Sequence, residues 1–447
     1  MSRKSDLGQF NTTSPRVQDA MASLIHCHSG IILEPTVGQG DLLGGVKTKR
    51  QVVGIELDDF VTASVNPTTI PKFRLVRGCF FENIDVVLKK YGPIGTALGN
   101  PPYVAVGQYA TWMSNGMKEF VASHGYGGKF NVLYLILHRL AECSKELIQI
   151  VPKDFMMATS ARPLREYLRD HGAFTHVIDL GEEKVFEDAD LESLIIFRWE
   201  AGATNADVKF QMDLDEALKD RWHRKVPVYS TTEATISLMD SKMSKNLKDL
   251  VPLNTIFDVN VGSVTGCDEV FRTPAYLRHL SANKKMVTGL DGDANERIED
   301  FLYTNDYASF EDLPVSLQAH LFEHQVRLRA RYGFRLQDGK QQKKEWWHWS
   351  FIRNAHISLG ASKKPRIFVE ARTRKVEPFW LGSKIGFGGG VYALVPKNGT
   401  TVETIKKYVQ LLNSAEYKEL YATSGMGVTG KLKSTPRALG EILVPVF

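Results

Sequence analysis

The chain has 447 residues, 43% of them hydrophobic and 24% charged, with a net charge of +5. These values suit a folded protein of two or three domains and exclude a disordered or fibrous one. No run approaches the roughly 18 to 20 apolar residues of a membrane span, and Met1 to Asp6 has no apolar stretch behind it, so a cytoplasmic protein with no membrane partner is expected.

From about residue 17 to 200, helix-like and strand-like segments alternate, which predicts an α/β domain with a doubly wound, Rossmann-like and largely parallel sheet. Val17 to His26 reads as a helix, Ile31 to Leu33 as a buried strand, Val52 to Leu57 as a second, Phe73 to Val76 as a third and Ile94 to Leu98 as a fourth. Phe130 to Cys143 is a long amphipathic helix leading into a fifth strand at Leu147 to Val151. Pro163 to His171 is a further helix, and Thr175 to Leu180 with Ser193 to Trp199 is expected to complete the sheet. The small, polar stretch at 201–205 marks the edge of that domain. Residues 206 to 245 have no clear pattern, and the remainder reads as a separate α+β domain of short strands, glycines and charged turns. The expected boundaries are 1–235 and 246–447. Cys27, Cys79, Cys143 and Cys267 share no paired spacing, so neither a disulfide framework nor a zinc site is expected.

Two loops carry chemistry. After the first strand comes Glu34-Pro35-Thr36-Val37-Gly38-Gln39-Gly40-Asp41-Leu42, whose glycines let backbone approach a ligand at the carboxyl end of the sheet. The second strand ends at Glu56, where an acid accepts hydrogen bonds from ribose hydroxyls. These features suit a dinucleotide or S-adenosylmethionine. Glu34 favours the latter, because a carboxylate there repels a pyrophosphate and attracts an ammonium; so does Leu43, which stands where the third glycine of a dinucleotide loop is expected. The second loop, Asn100-Pro101-Pro102-Tyr103, follows the fourth strand. Its prolines offer carbonyl oxygens without competing N–H donors, Asn100 adds an amide oxygen, and Tyr103 supplies a ring to stack on a base. Acceptors converging on an exocyclic amino group draw its nitrogen toward tetrahedral and free its lone pair.

With these residues the chain resembles the adenine-N6 DNA methyltransferases, in the gamma-class order that puts the cofactor half first, the catalytic half second and the target-recognition domain last. The resemblance covers nearly the whole length. It implies S-adenosylmethionine as cofactor, held by Gln9, Phe10 and Thr12 of the N-terminal motif, by Glu34, Pro35, Thr36, Gly38 and Gly40, by Glu56 and Leu57, by Cys79 and Phe80, and by Asn100. It makes Asn100, Pro101, Pro102 and Tyr103 catalytic, and gives Phe186, in Val185-Phe186, either the second face of a flipped base or a place in the core. Val151 to Phe155, Leu164 to Leu168 and Ile178 to Gly181 match the run that follows in this group. Two departures stand out: Gly78 is followed by Cys79 where the group carries an acid for the cofactor's adenine, and Asn131 replaces an acid near a helix start, where a structural role is expected.

Charge is concentrated between Arg327 and Lys375, with fourteen Lys or Arg against three acids, and aromatics including Tyr332, Phe334, Trp346, Trp347, Trp349, Phe351 and Phe368 lie among them. Such a segment favours nucleic acid over a membrane surface, and the resemblance implies that this partner is double-stranded DNA. Lys363, Lys364 and Arg366 around Pro365 are its expected phosphate contacts. Val261 to Phe271 resembles the opening of a recognition domain, and Leu411 to Ser414 with Ile442 to Val446 its close. The expected protein is a monomeric modification enzyme of a restriction-modification system, with a cognate endonuclease encoded nearby. Alternatives are methylation of RNA adenine or of a protein glutamine, or a catalytically silent DNA-specificity module.

Overall fold

The continuous apolar runs become buried strands. In the computed structural model the described residues are all but 1–11, 59–60, 62–69, 71, 110–112, 187–192, 205–206, 231–233, 246, 332–344, 398–399 and 429–430. The chain divides into two units, Met1–Leu247 with Glu419–Gly430, and Lys248–Lys418 with Lys431–Phe447.

The first unit is built on strands β1 (Ile31–Glu34), β2 (Val52–Glu56), β3 (Phe73–Arg77), β4 (Ile94–Gly99), β5 (Ser144–Pro152), β6 (Gly172–Asp179) and β7 (Leu194–Ala201), continued by β8 (Val208–Gln211), β9 (His223–Tyr229) and β10 (Ile236–Met239). Their order is 3-2-1-4-5-7-6-8-9-10. Strands β1 to β5 pair in parallel, and β7 lies antiparallel between β5 and β6. Every residue of β1, β2 and β4 is buried, as expected of parallel strands covered on both faces. The order reverses between β1 and β4, so the loops leaving these two strands open side by side at their carboxyl ends, the place where open α/β sheets bind ligands.

Two expectations are corrected. The sheet does not end at Trp199, because β8, β9 and β10 form from the unpatterned stretch and extend it. The segment after the cofactor loop, where a strand-loop-helix unit leads one to expect an α-helix, is a single 3-10 turn, Asp41–Gly45, since Gly44 and Gly45 withdraw helix propensity where a second turn would begin.

Helices α1 (Pro15–Ser23), α2 (Phe80–Tyr91), α3 (Asn115–Ser123), α4 (Val132–Cys143) and α5 (Arg162–His171) pack beside the sheet. Nine residues of α4 are buried, His138 among them, so it runs inside the unit rather than along its surface. Asn131 caps α4 by accepting from the Leu133 N–H at 3.1 Å, the structural role expected of it. The start of α4 also holds the chain just past Tyr103: the Val132 N–H donates to the Val104 carbonyl at 2.9 Å and the Val106 N–H to the Phe130 carbonyl at 2.8 Å.

The second unit contains an antiparallel sheet of Phe257–Val261, Val391–Pro396, Arg366–Glu370 and Phe379–Gly382, in that order, and a smaller sheet around Asn283–Leu290 and Glu296–Leu302. Among the described residues, no helix is long and apolar enough to cross a membrane.

Candidate functional site

Loop geometry at the switch point follows from two glycines and one carboxylate. Gly38 and Gly40 have φ of 55° and 86°, a region that side chains disfavour. Glu56 Oε2 accepts from the Gly38 N–H and Oε1 from the Asp58 N–H, both at 2.8 Å, so the acid at the end of β2 holds the loop after β1 in place. Gly99 is tightly enclosed for a different reason: a Cβ there would come within 3.0 Å of Gln149 Oε1 and 3.2 Å of Pro35 Cδ.

Glu34 is 2% exposed, and its Oε2 has no hydrogen-bond partner. Burial, with the charges of Glu56 and Asp41 added, raises its carboxyl well above the usual range. Burial also raises Glu56, against the opposing pull of the N–H groups it accepts. Among the described residues, three acids thus come together with no cation beside them, a donor set that fits a ligand carrying positive charge.

The second loop meets the first. The Thr36 hydroxyl donates to the Asn100 carbonyl at 3.4 Å, and Asn100 Nδ2 donates to Thr12 Oγ1 at 3.2 Å. Thr12 is buried and forms a backbone bridge with Phe186. Tyr103 donates its hydroxyl to the Ile150 carbonyl at 3.0 Å, which fixes its ring, and burial raises its phenol well above the usual value. Phe186 is 2% exposed and meets the Tyr103 ring edge-on, with centroids 6.2 Å apart and planes at 63°. Thr12, Thr36, Asn100, Tyr103 and Phe186 therefore converge. Gln9 and Phe10 lie outside the described residues.

Cys79, where an acid was expected, is buried, and its thiol contacts Ser114 Oγ at 3.3 Å. Ser114 in turn caps α3 by accepting from the Met117 N–H. Phe80 is 4% exposed and packs edge-on against Phe81 in the core. Sequence reading missed Ser114 and Gln149, which the fold brings in from elsewhere; Gln149 pairs in register with Gly99. It also missed the purpose of the later motifs. Lys153 and Asp179 form a buried ion pair at the ends of β5 and β6, and Lys153 also donates to the Ala422 carbonyl. Arg165 is fully buried and donates to the carbonyls of Phe155, Ala158 and Ala234.

In the second unit the basic segment loses several members. Arg366 is 0% exposed and donates to the Ser362, Ile357 and Lys364 carbonyls, so it is a strut of the sheet and cannot reach a phosphate. Arg331 is buried in the same manner, and Trp347, Trp349 and Phe368 belong to the core. Lys363 and Lys364 are exposed. Tyr332, Phe334 and four of the basic residues lie outside the described residues. A cleft of about 330 Å³ opens instead around the segment that begins near Val261, lined in part by Thr265, Asp268, Arg272, Arg297 and Trp349. There Arg272 pairs with Glu299 at 3.1 Å, and Arg297 donates to Thr288.

Residues 90–186, which span β4, the Asn100 to Tyr103 loop, β5 and β6, match the family profile of the Eco57I restriction-modification methylase. The Type II methyltransferase M.HindII of Haemophilus influenzae is 21% identical over 419 residues, covering 83% of this chain and 76% of that protein. The chain is a DNA methyltransferase of the restriction-modification type, similar to the Eco57I methylases. A solved Type IIL restriction-modification enzyme, MmeI in complex with DNA, shares the methylase's fold with a TM-score of 0.58 at 10% identity, over 96% of this chain and 64% of that one. A nuclease-deletion mutant of the Type ISP enzyme LlaGI, with a DNA substrate mimic, gives 0.51 at 12% identity, over 92% and 52%. The methylase thus spans less than two thirds of either solved enzyme.

Proposed function

We propose that the methylase transfers a methyl group from S-adenosylmethionine to the N6 amino group of an adenine flipped out of double-stranded DNA, and that it works as a monomer in the cytoplasm. The observation that carries this reading is the convergence of Glu34 and Glu56 with Asn100 to Tyr103 at one switch point. S-adenosylmethionine, when bound, supplies a methyl group already activated on a sulfonium. Glu34, whose Oε2 is buried without a partner, would take its ammonium, and Glu56 keeps lone pairs for ribose hydroxyls beyond the two N–H groups it accepts. Cys79 and Ser114 stand where the adenine amino contact would fall. Because the sulfonium is reactive, the residues need only orient and prepare the incoming amine.

Asn100 Oδ1 and the Pro101 carbonyl would accept from that amine and localise its lone pair. Tyr103, its hydroxyl anchored on Ile150, would cover one face of the base. Phe186 would cover the other only after turning, since its present edge-on contact leaves no slot between parallel rings. The first unit would serve as the catalytic domain and the second as the target-recognition domain. In the latter, Lys363 and Lys364 would contact phosphate, and Arg272 and Arg297 at the cleft have the fork that reads guanine edges.

The experiment is direct. The purified chain, incubated with labelled cofactor and mixed DNA, should deposit label on adenine in a single sequence context, read by modification-sensitive sequencing. Label on RNA or protein, or none on DNA, would overturn the reading. A cognate endonuclease should then cut only DNA lacking that mark.

A further inference from the structure

Helices α3 and α4 meet at a polar cluster that methyl transfer does not use. His124 lies at the carboxyl end of α3, and His138 and Glu142, four residues apart, share one face of α4. One ligand atom from each lies within 4.8 Å of the others. The surrounding hydrogen bonds decide which ring nitrogen of His138 carries the proton. Tyr126 Oη donates to the Tyr134 carbonyl at 3.3 Å and has no second proton, so it accepts from His138 Nδ1 at 3.0 Å. His138 Nε2 is left with a bare lone pair, and it has no hydrogen-bond partner in a side chain only 4% exposed. His124 Nδ1 lies 2.9 Å from the Phe120 carbonyl and 2.8 Å from the Ser123 hydroxyl, and its Nε2 points at Glu142 Oε1, 2.8 Å away. Arg139 holds the other Glu142 oxygen at 3.0 Å.

We infer that His124, His138 and Glu142 form a structural binding site for a divalent transition-metal ion of the zinc class, which staples α3 to α4. The alternative, a plain ion pair between His124 and Glu142, accounts for two of the three groups and leaves the buried lone pair of His138 desolvated with no return. A metal accounts for all three. Two imidazoles and one carboxylate are a borderline donor set that suits zinc, whereas magnesium and calcium prefer all-oxygen shells. Tetrahedral bonds of about 2.0 to 2.1 Å put ligand atoms roughly 3.3 Å apart. Side-chain rotation of His124 and Glu142, which are 26% and 20% exposed, can close the remaining gap and leave a position for water. Tyr126 and the Phe120 carbonyl are the outer partners that orient ligating histidines in known sites. The cysteine spacing that argued against zinc was silent here, because no ligand is a cysteine.

The staple would act on the neighbourhood of the candidate site from behind, since α3 begins at the Ser114 that contacts Cys79 and α4 begins at the residues that hold Val104 and Val106. The inference does not depend on the methyl-transfer reading, and its test needs no activity. The full chain is stripped with a chelator and titrated with zinc alone, with cobalt as a spectroscopic probe and magnesium as a control. About one zinc per chain should bind, and the unfolding midpoint should rise by about 5 °C at roughly a hundred times the dissociation constant. Magnesium should do neither. His124→Gln and Glu142→Gln change partly exposed polar side chains; each should fold, as judged by circular dichroism, and lose both effects. A stripped chain that takes up no zinc would overturn the site, as would zinc binding undiminished in the double variant. A cobalt spectrum dominated by thiolate charge transfer would place the metal on cysteines and overturn it equally.

Discussion

Replacing Glu34 with Gln should move stability and cofactor affinity in opposite directions. In the free protein the Glu34 carboxyl is buried against Glu56 and Asp41, which raises it well above its usual range. The folded chain therefore holds a proton there that the unfolded chain releases at lower pH. An acid raised in this way lends full stability below its unfolded value of about 4.3, and that contribution is lost as pH rises through the folded value, at about 1.4 kcal/mol for each unit of difference. Glu34→Gln abolishes that loss, so the variant should unfold at a higher temperature than the parent near neutral pH, with the gap widening from about pH 4.3 upward. Cofactor binding should respond the other way. A charge-assisted hydrogen bond from an ammonium contributes about 1.5 to 3 kcal/mol, and with Glu34 only 2% exposed the upper end applies, so the variant should bind S-adenosylmethionine about 150-fold more weakly where the parent carboxylate is ionised. Below the raised value the parent must expel a proton to bind, and its affinity should fall about tenfold per pH unit while the variant stays flat. Calorimetry in two buffers of unlike ionisation heat, at several pH values, reads both the affinity and the proton. A variant that binds as tightly as the parent with the same pH profile would refute the assignment, and proton release that persists in it would move the titrating group to Glu56 or Asp41.

Four further variants test the rest of the proposal. Asn100→Ala should abolish most turnover and leave cofactor affinity within a few-fold, since in the proposed mechanism its amide would face the amine to be methylated; near-normal methylation in a single-turnover assay would remove it from catalysis. Glu56→Ala orphans the Gly38 and Asp58 N–H groups, so it should lower stability by about 2 kcal/mol or more in urea as well as weaken cofactor binding; weakened binding at unchanged stability would mean that Glu56 does not hold the loop. Lys363→Ala with Lys364→Ala should weaken binding to all duplexes and reduce the slope of log affinity against log salt by about 1.8, whereas Arg297→Ala should relax preference at one base position. A lysine double variant with an unchanged slope would mean that their charge only faces solvent.

The sequence made the site's strands legible for a simple reason. Strands β1, β2, β4 and β5 are buried on both faces and read as apolar runs, and the two loops that matter follow two of them. Strand β9, by contrast, is His223–Tyr229, charged at one end and interrupted by Pro227. Its pairing comes from β8 and β10 rather than from a pattern of its own. Composition also misjudged the basic segment. Counting treats all arginines alike, but Arg331 and Arg366 have their guanidinium groups satisfied by carbonyls inside the fold, and nothing local distinguishes them from Lys363 and Lys364. Cys79 shows the same limit in the first unit. That a thiol stands where the group carries an acid is visible in the sequence, while its partner Ser114 becomes visible only once α3 is placed.

The division of the chain bears on any attempt to exchange specificity. Residues Glu419–Gly430 return to the first unit, so the backbone passes between units three times, after Leu247, after Lys418 and after Gly430. Within the first unit this returning segment supplies the Ala422 carbonyl to Lys153, the Glu419 carboxylate to Lys225 and the Thr423 hydroxyl to the Leu238 carbonyl. Cutting the gene near codon 247 and fusing a foreign second unit would therefore delete part of the first unit as well, taking one acceptor from each of the buried Lys153 and Lys225 ammonium groups and leaving their pairing to Asp179 and Asp240. A workable chimera has to be an insertion with the short returning segment retained, spliced at three seams instead of one.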